Sequence, residues 1–194
     1  ELATFRKLNS RLQGHPATHE HLPGVRVASG SLGQGLSVGL GAAYGKKLQK
    51  DPGIVYVLTG DGELQEGQIW EAALAAAHHK LDNVIVAVDW NGQQIDGPTN
   101  KVMSLGDLPA KWLSFGWDVY NMEGNNMSHV VACLDIVKKA VGNGKPKVIL
   151  MKTEMGYGVD FMMGSHKWHG VAPNDEQCKI ALNQLEETLG DFKI

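Results

Sequence analysis

The chain has 194 residues with 18 basic and 21 acidic side chains, a formal net charge of −3, and 43% hydrophobic residues. This composition excludes a disordered chain, and the near balance of charge provides no basic surface for nucleic acid. Because no apolar run exceeds six residues, the sequence predicts neither a membrane span nor a secretory leader, and its two isolated cysteines suit a reducing cytoplasm.

The first part of the sequence alternates glycine-rich segments with helical patterns. Residues 1–12 are predicted to form part of a helix, and the Gly- and His-rich residues 14–30 a loop. Residues 31–50 follow as a helix of about 30 Å. Four glycines between residues 33 and 41 each weaken that helix, which indicates close packing or close approach to a ligand.

Short apolar runs bounded by Gly, Pro or Asp are typical of buried strands. Four such runs occupy residues 54–58, 84–88, 117–121 and 147–153. Helices are predicted over residues 68–80, 108–115, 128–141 and 174–189, and longer loops over residues 90–104 and 156–170. Continuous apolar strands that alternate with helices predict an α/β fold with a mostly parallel sheet and helices on both faces, in one domain over residues 1–194.

Polar residues follow the first two of these strands. Asp61 lies between Gly60 and Gly62 directly after the first strand, and Asn91 follows the second. Because neighbouring parallel strands end at one edge of a sheet, these side chains are expected to converge there. Carboxylate and amide oxygens suit Mg²⁺ or Ca²⁺, and flanking glycines let a diphosphate approach the backbone. Each motif alone is typical of an ordinary turn, whereas the pair indicates a metal-assisted diphosphate site.

The same residues resemble those of a known family. Gly60-Asp61-Gly62 followed about thirty residues later by Asn91 resembles the thiamine diphosphate signature. The resemblance to transketolase extends in register over nearly the whole chain, and its diphosphate-binding domain is the part that matches. The matching segments are residues 14–16, 22–35, 60–72, 89–97 and 168–170.

This resemblance implies a set of ligands for thiamine diphosphate and Mg²⁺, with Ca²⁺ or Mn²⁺ as substitutes for the metal. Asp61, the Asn91 side chain and the backbone carbonyl of Gln93 would bind the metal, and Gly62 would donate its N–H to the diphosphate. The other residues implied to bind the cofactor are Gly30, Leu32, Gly60, Glu63 and His169, of which Gly30 and Leu32 would lie on the aminopyrimidine side.

The resemblance also assigns catalytic histidines. His15 and His169 match family histidines that face the thiazolium and the substrate, where an imidazole can move protons near neutral pH. His166 is either a second active-site group or a structural residue. Glu66 and Glu71 match acidic positions near the interface between chains, or they are solvated carboxylates at the start of a helix.

Finally, the resemblance implies that the chain acts with a partner. The pyrimidine-binding and C-terminal domains of the family are absent from this sequence, and so is the family's earliest segment, for which truncation and deletion both stay open. The sequence therefore predicts the N-terminal subunit, or a piece of it, of a split cytoplasmic transketolase that forms an α2β2 assembly and acts on sugar phosphates. Two alternatives stay open: a subunit like deoxyxylulose-phosphate synthase, and a non-catalytic cofactor-binding or regulatory subunit.

Overall fold

A parallel four-stranded sheet organises residues 1–186, the part of the chain that the computed structural model describes. Its strands lie in the order β1-β2-β6-β5, and a short antiparallel ribbon of β3 and β4 stands apart from it. The strands are β1 Val55–Gly60, β2 Val84–Trp90, β3 Gln93–Gln94, β4 Gly97–Pro98, β5 Asp118–Glu123 and β6 Lys147–Lys152. The helices are α1 Gln34–Leu48, α2 Gly67–His78, α3 Thr99–Val102, α4 Leu108–Ser114, α5 Met127–Lys139 and α6 Asp175–Gln184.

Helices cover both faces of the sheet, as the sequence predicted. Alternate side chains of β2 point to opposite faces, so Val86 enters one core and Ile85 the other. The larger core lies under α1, α2 and α4 and contains the buried Trp112, and the smaller lies under α5. Across residues 1–186, no helix has both the length and the apolar character that crossing a bilayer requires.

The prediction of a helix over residues 1–12 is wrong. The structure has only a short 3₁₀ turn, Leu2–Thr4, and the backbone of Arg6 and of Asn9 is left-handed, which interrupts any helix. No side chain in this segment is buried. Because short helices are stabilised mainly by an apolar face that packs on a core, this segment has nothing to hold it helical.

Other predicted boundaries shift by a few residues, and one predicted loop contains regular structure. Helix α1 starts at Gln34 rather than at residue 31, because Gly33 has a φ of 84°. Helix α6 ends at Gln184, since Leu185 is extended, and residues 187–189 of the predicted helix lie outside the described residues. The predicted loop over residues 90–104 contains the β3–β4 ribbon and the short helix α3.

Helix α1 crosses β1 closely at Gly39. A Cβ atom built on this buried glycine would lie 2.5 Å from Cγ2 of Val57, closer than carbon atoms can approach. Two residues further on, a Cβ atom at Gly41 would meet nothing within 4 Å. The glycines predicted to serve close packing are therefore not equivalent: Gly39 sets the spacing between α1 and the sheet, and Gly41 does not.

Substituting these two glycines should change stability in opposite directions. Gly39→Ala should lower the free energy of unfolding by about 1–3 kcal/mol, because α1 must move away from Val57. Gly41→Ala should raise it by about 0.5–1 kcal/mol, because alanine favours the helix and has free space. Urea denaturation of both variants measures the difference, and a stabilising Gly39→Ala would contradict this packing.

Candidate functional site

A cavity of about 180 Å³ opens at the carboxyl ends of β1 and β2. These strands pair in parallel with Gly60 opposite Asp89, so the turns that follow them meet at one edge of the sheet. The cavity is lined by Leu32, Gly60, Asp61, Gly62, Glu63, Asp89, Asn91, Gln93, Gln94, Ile95 and His169. Eight residues predicted from the sequence, separated by up to 137 positions, thus share one cleft.

Asp61 is the most buried polar group of this cleft, with 1% of its surface exposed. Its Oδ1 accepts a hydrogen bond from the N–H of Gly62 at 2.8 Å, and its Oδ2 accepts one from the N–H of Gly92 at 2.7 Å. Within residues 1–186, no Lys, Arg or His forms an ion pair with it. The carboxylate is therefore fixed in place but lacks a cationic partner.

Burial raises the pKa of Asp61 above its ordinary value. The N–H groups of Gly92 and Gly62 oppose this shift, and the nearby carboxylate of Asp89 adds to it. A bound cation would relieve both the burial of the charge and its repulsion from Asp89. Each oxygen of Asp61 accepts one hydrogen bond in the protein and so keeps a lone pair for such a cation.

Amide oxygens complete the polar wall opposite Asp61. Oδ1 of Asn91 accepts a hydrogen bond from the N–H of Gln93 at 2.8 Å, which fixes the turn after β2. Oε1 of Gln93 is buried and has no hydrogen-bond partner in the described part of the chain. These are hard oxygen donors of the kind that Mg²⁺ and Ca²⁺ prefer. No group of three His, Cys, Asp or Glu suited to a metal occurs in residues 1–186, and the cleft instead offers the Asp61 carboxylate beside amide oxygens.

Glu63 connects two walls of the cleft. Its Oε1 accepts from the N–H of Gly33 at 2.7 Å, and its Oε2 accepts from the N–H of Gly60 at 3.2 Å. Nε2 of Gln68 also donates to the carbonyl of Leu32 at 3.1 Å. The loop before α1 is thus attached to the segment after β1, which brings Leu32 to the cleft.

His169 reaches the cleft from the loop that precedes α6. Its N–H donates to the carbonyl of His166 at 2.9 Å, closing the short 3₁₀ turn His166–Trp168. The indole N–H of Trp168 donates to the carbonyl of Phe161 at 2.9 Å, and their ring centroids lie 5.3 Å apart. Trp168 therefore anchors the turn that positions His169, whereas His166 itself does not line the cleft.

Several predicted site residues lie elsewhere. His15 and Gly30 contact each other, since a Cβ atom at Gly30 would lie 3.2 Å from Cγ of the His15 ring, but neither lines the cleft. His15 borders a separate open depression. Glu66 and Glu71 are exposed at the start of α2 and on α2 itself. The roles of these four residues stay predictions.

Three lining residues were not assigned a role from the sequence: Asp89, Gln94 and Ile95. The hydroxyl of Thr153 donates to Oδ1 of Asp89, which joins the ends of β2 and β6. Gln94 lies over Gly62, where a Cβ atom would be 3.0 Å from Cβ of Gln94. All three lie in the matching segment of residues 89–97, but Gln94 and Ile95 reach the cleft through the β3–β4 ribbon, which the sequence pattern did not predict.

Residues 1–190 match the family described as transketolase, thiamine diphosphate binding domain. The chain belongs to the transketolase family. It is 40% identical over 186 residues to a subunit of the apulose-4-phosphate transketolase of Actinobacillus succinogenes, covering 96% of this chain and 66% of that protein. It is 39% identical over 164 residues to a 6-deoxy-6-sulfo-D-fructose transketolase subunit of a Clostridium species, covering 84% of this chain and 59% of that protein.

Solved transketolase structures share the fold. Transketolase from Campylobacter jejuni superposes with a TM-score of 0.86 at 33% identity, covering 94% of this chain and 29% of that one. A Pichia stipitis transketolase in complex with sedoheptulose-7-phosphate superposes with a TM-score of 0.85 at 31% identity, covering 94% of this chain and 28% of that one. The chain thus spans about 60 to 66% of the subunits named above and less than a third of these transketolases.

The acidity of Asp61 gives a direct test of the cation site. Because its folded pKa is raised, Asp61 contributes stability that is present below about pH 4, its unfolded pKa, and is lost as pH rises through the folded value. Mg²⁺ with inorganic pyrophosphate should lower the titration midpoint by stabilising the carboxylate. The pH dependence of the carboxyl ¹³C chemical shift of Asp61, with and without these ligands, measures this midpoint.

Asp82 provides the control for this titration. It lies at the opposite edge of the sheet, where burial is outweighed by the Lys47 ammonium and the N–H of Gly144, so that its pKa is lowered. Its midpoint should not respond to Mg²⁺. An Asp61 midpoint that is equally insensitive would show that Asp61 does not bind the cation.

Proposed function

We propose that the chain is the diphosphate-binding part of a split transketolase that transfers a two-carbon ketol unit from a ketose phosphate to an aldose acceptor. The observation that carries this proposal is the buried Asp61 carboxylate, held by two N–H groups and facing amide oxygens at the ends of β1 and β2. Membership of the transketolase family supports it.

Asp61, the Asn91 side chain and the Gln93 carbonyl would bind Mg²⁺, for which Ca²⁺ or Mn²⁺ can substitute. Thiamine diphosphate, when bound, supplies the electron sink for cleavage of the ketose carbon–carbon bond. Gly60 and Gly62 would face the diphosphate without a side chain in the way. The N–H of Gly62 now donates to Asp61, so its donation to a diphosphate requires sharing or exchange of that acceptor.

The charge of the proposed metal ligands predicts that metal and diphosphate bind together, since the other two carboxylates of the cleft, Asp89 and Glu63, accept hydrogen bonds within the protein and are not in the donor set. Asp61 supplies one negative charge to the donor set, and the amide and carbonyl oxygens supply none. A divalent cation would keep an excess of positive charge there, which a diphosphate neutralises. Mg²⁺ alone should therefore bind much more weakly than Mg²⁺ with thiamine diphosphate.

His169 is the proposed proton-transfer group within the cleft. Its side chain lines the cavity that holds Asp61, so it can exchange protons with substrate hydroxyl groups there. His15 is the second proposed catalytic group, on the side of Gly30, and Gly30 and Leu32 would face the aminopyrimidine. His166, Glu66 and Glu71 are secondary proposals, the two glutamates at the interface with a partner.

The proposed partner is a subunit that carries the pyrimidine-binding and C-terminal domains. Two similar proteins are named as transketolase subunits, which supports a split enzyme, and we propose an α2β2 assembly. In this view residues 1–194 form one diphosphate-binding domain. The substrates are phosphorylated sugars or, as the name of one relative suggests, sulfonated ones. The free thiols of Cys133 and Cys178 fit a reducing cytoplasm.

Calorimetric titration of thiamine diphosphate with Mg²⁺ tests this function, first into the chain alone and then into its mixture with a pyrimidine-domain subunit. Binding should be far tighter in the mixture, which should also transfer ketol units. Asp61→Ala should weaken cofactor binding by at least about 100-fold, because it removes a metal ligand. Asp107→Ala, which removes the N-cap of α4 outside the cleft, should leave binding unchanged.

Each other outcome has a defined meaning. Unchanged cofactor affinity in Asp61→Ala would contradict the site. Cofactor binding by the mixture without ketol transfer would favour a non-catalytic or regulatory subunit, and condensation of pyruvate with an aldose phosphate would favour a subunit like deoxyxylulose-phosphate synthase. If neither the chain alone nor the mixture binds the cofactor, while circular dichroism shows an intact fold, the proposal that the chain is part of an enzyme is refuted.

A further inference from the structure

Glu63 lines the cleft but uses both carboxylate oxygens within the protein. One oxygen accepts from the N–H of Gly33 at 2.7 Å and the other from the N–H of Gly60 at 3.2 Å. An ionised carboxylate only accepts hydrogen bonds, so Glu63 offers a diphosphate oxygen no donor. Its negative charge would also repel the diphosphate. These contacts do not suit Glu63 to the role of a direct diphosphate ligand.

The partners of Glu63 show what it does instead. Gly33 is the N-cap of the 15-residue helix α1. As a glycine it has no side chain that could cap the helix. The N-terminus of a helix attracts anions through its free N–H groups and its dipole. Here a carboxylate from 30 residues away supplies the anion, through one hydrogen bond from the N–H of the N-cap residue Gly33.

The second contact joins this helix end to the metal side of the cleft. Gly60 directly precedes Asp61, and Gly33 directly follows Leu32, so Glu63 bridges the two segments that carry opposite walls. A Cβ atom at Gly33 would lie 2.9 Å from Cβ of Glu66, which shows how closely the two segments approach. The separation between Leu32 and Asp61 therefore depends on Glu63, together with Gln68, whose Nε2 donates to the carbonyl of Leu32.

We propose that Glu63 is a positioning residue with two effects. It holds the loop before α1 against the end of β1, and it thereby keeps Leu32 and Asp61, which line the same cleft, in the arrangement that thiamine diphosphate with its metal needs. The first effect stands on the contacts alone. The second rests on the proposed function, because it assumes that the cleft takes a diphosphate with a divalent cation.

Variants of the full chain test both effects. Glu63→Ala removes both acceptors, whereas Glu63→Gln keeps one acceptor oxygen and removes the charge. Asp107→Asn is the matched control, since Asp107 also accepts from an N–H at a helix N-terminus but lies outside the cleft. Far-UV circular dichroism confirms that each variant is folded, and Glu63→Gln keeps the test decisive if Glu63→Ala does not fold.

Amide hydrogen exchange, monitored by NMR, measures the first effect in the absence of any ligand. Exchange of the Gly33 and Gly60 amides should accelerate by roughly tenfold or more in Glu63→Ala and by less in Glu63→Gln, because a hydrogen bond to a charged acceptor is lost. Asp107→Asn should leave both rates unchanged. Unchanged rates in both Glu63 variants would overturn the positioning role.

Binding of thiamine diphosphate with Mg²⁺ measures the second effect. Its Kd should rise several-fold in Glu63→Gln, because the loop that carries Leu32 is held less firmly, and should not change in Asp107→Asn. An unchanged Kd in both Glu63 variants would overturn this effect. If wild type binds no thiamine diphosphate even with Mg²⁺ and a partner, the proposed function fails, yet the amide exchange still decides the positioning role.

Discussion

The parallel pairing of β1 with β2 is the constraint on which the site depends. With Gly60 opposite Asp89, the turn after β1 lies against the turn after β2, and the N–H of Gly92 reaches the carboxylate of Asp61 at 2.7 Å. A slip of this register would separate Asp61 from Asn91. β2 is apolar on both faces and is buried between two cores, as is typical of a central strand in a parallel sheet.

This arrangement buries a negative charge, that of Asp61, at the carboxyl ends of β1 and β2. Burying Asp61 next to Asp89 disfavours the ionised carboxylate, and two backbone N–H groups recover only part of that loss. The same buried charge would make a cation bind strongly. In the proposed function, the cleft would thus give up some stability of the protein in exchange for affinity for a cation, a relation that is common at functional sites.

The strands and the layers could be predicted from the sequence, because buried parallel strands are apolar runs that end in polar turns. Among the eight clustered site residues, the same pattern indicates Gly60–Gly62 and Asn91, whereas the other four came only from the resemblance to transketolase. The helix over residues 1–12 could not be judged correctly, since its residues look helical locally but pack on nothing. The β3–β4 ribbon was missed because its two-residue strands carry no periodicity, although it brings Gln94 and Ile95 to the cleft. The bridging role of Glu63 depends on contacts 30 residues apart, which no local pattern reveals.

In the proposed function, a divalent cation binds between Asp61, Asn91 and Gln93 together with thiamine diphosphate. Anomalous diffraction from crystals grown with Mn²⁺ and thiamine diphosphate, in the presence of the partner protein, locates the metal directly. We predict one strong peak within coordination distance of a carboxylate oxygen of Asp61, Oδ1 of Asn91 and the carbonyl oxygen of Gln93. A bound cofactor whose metal contacts none of these atoms would contradict the claim.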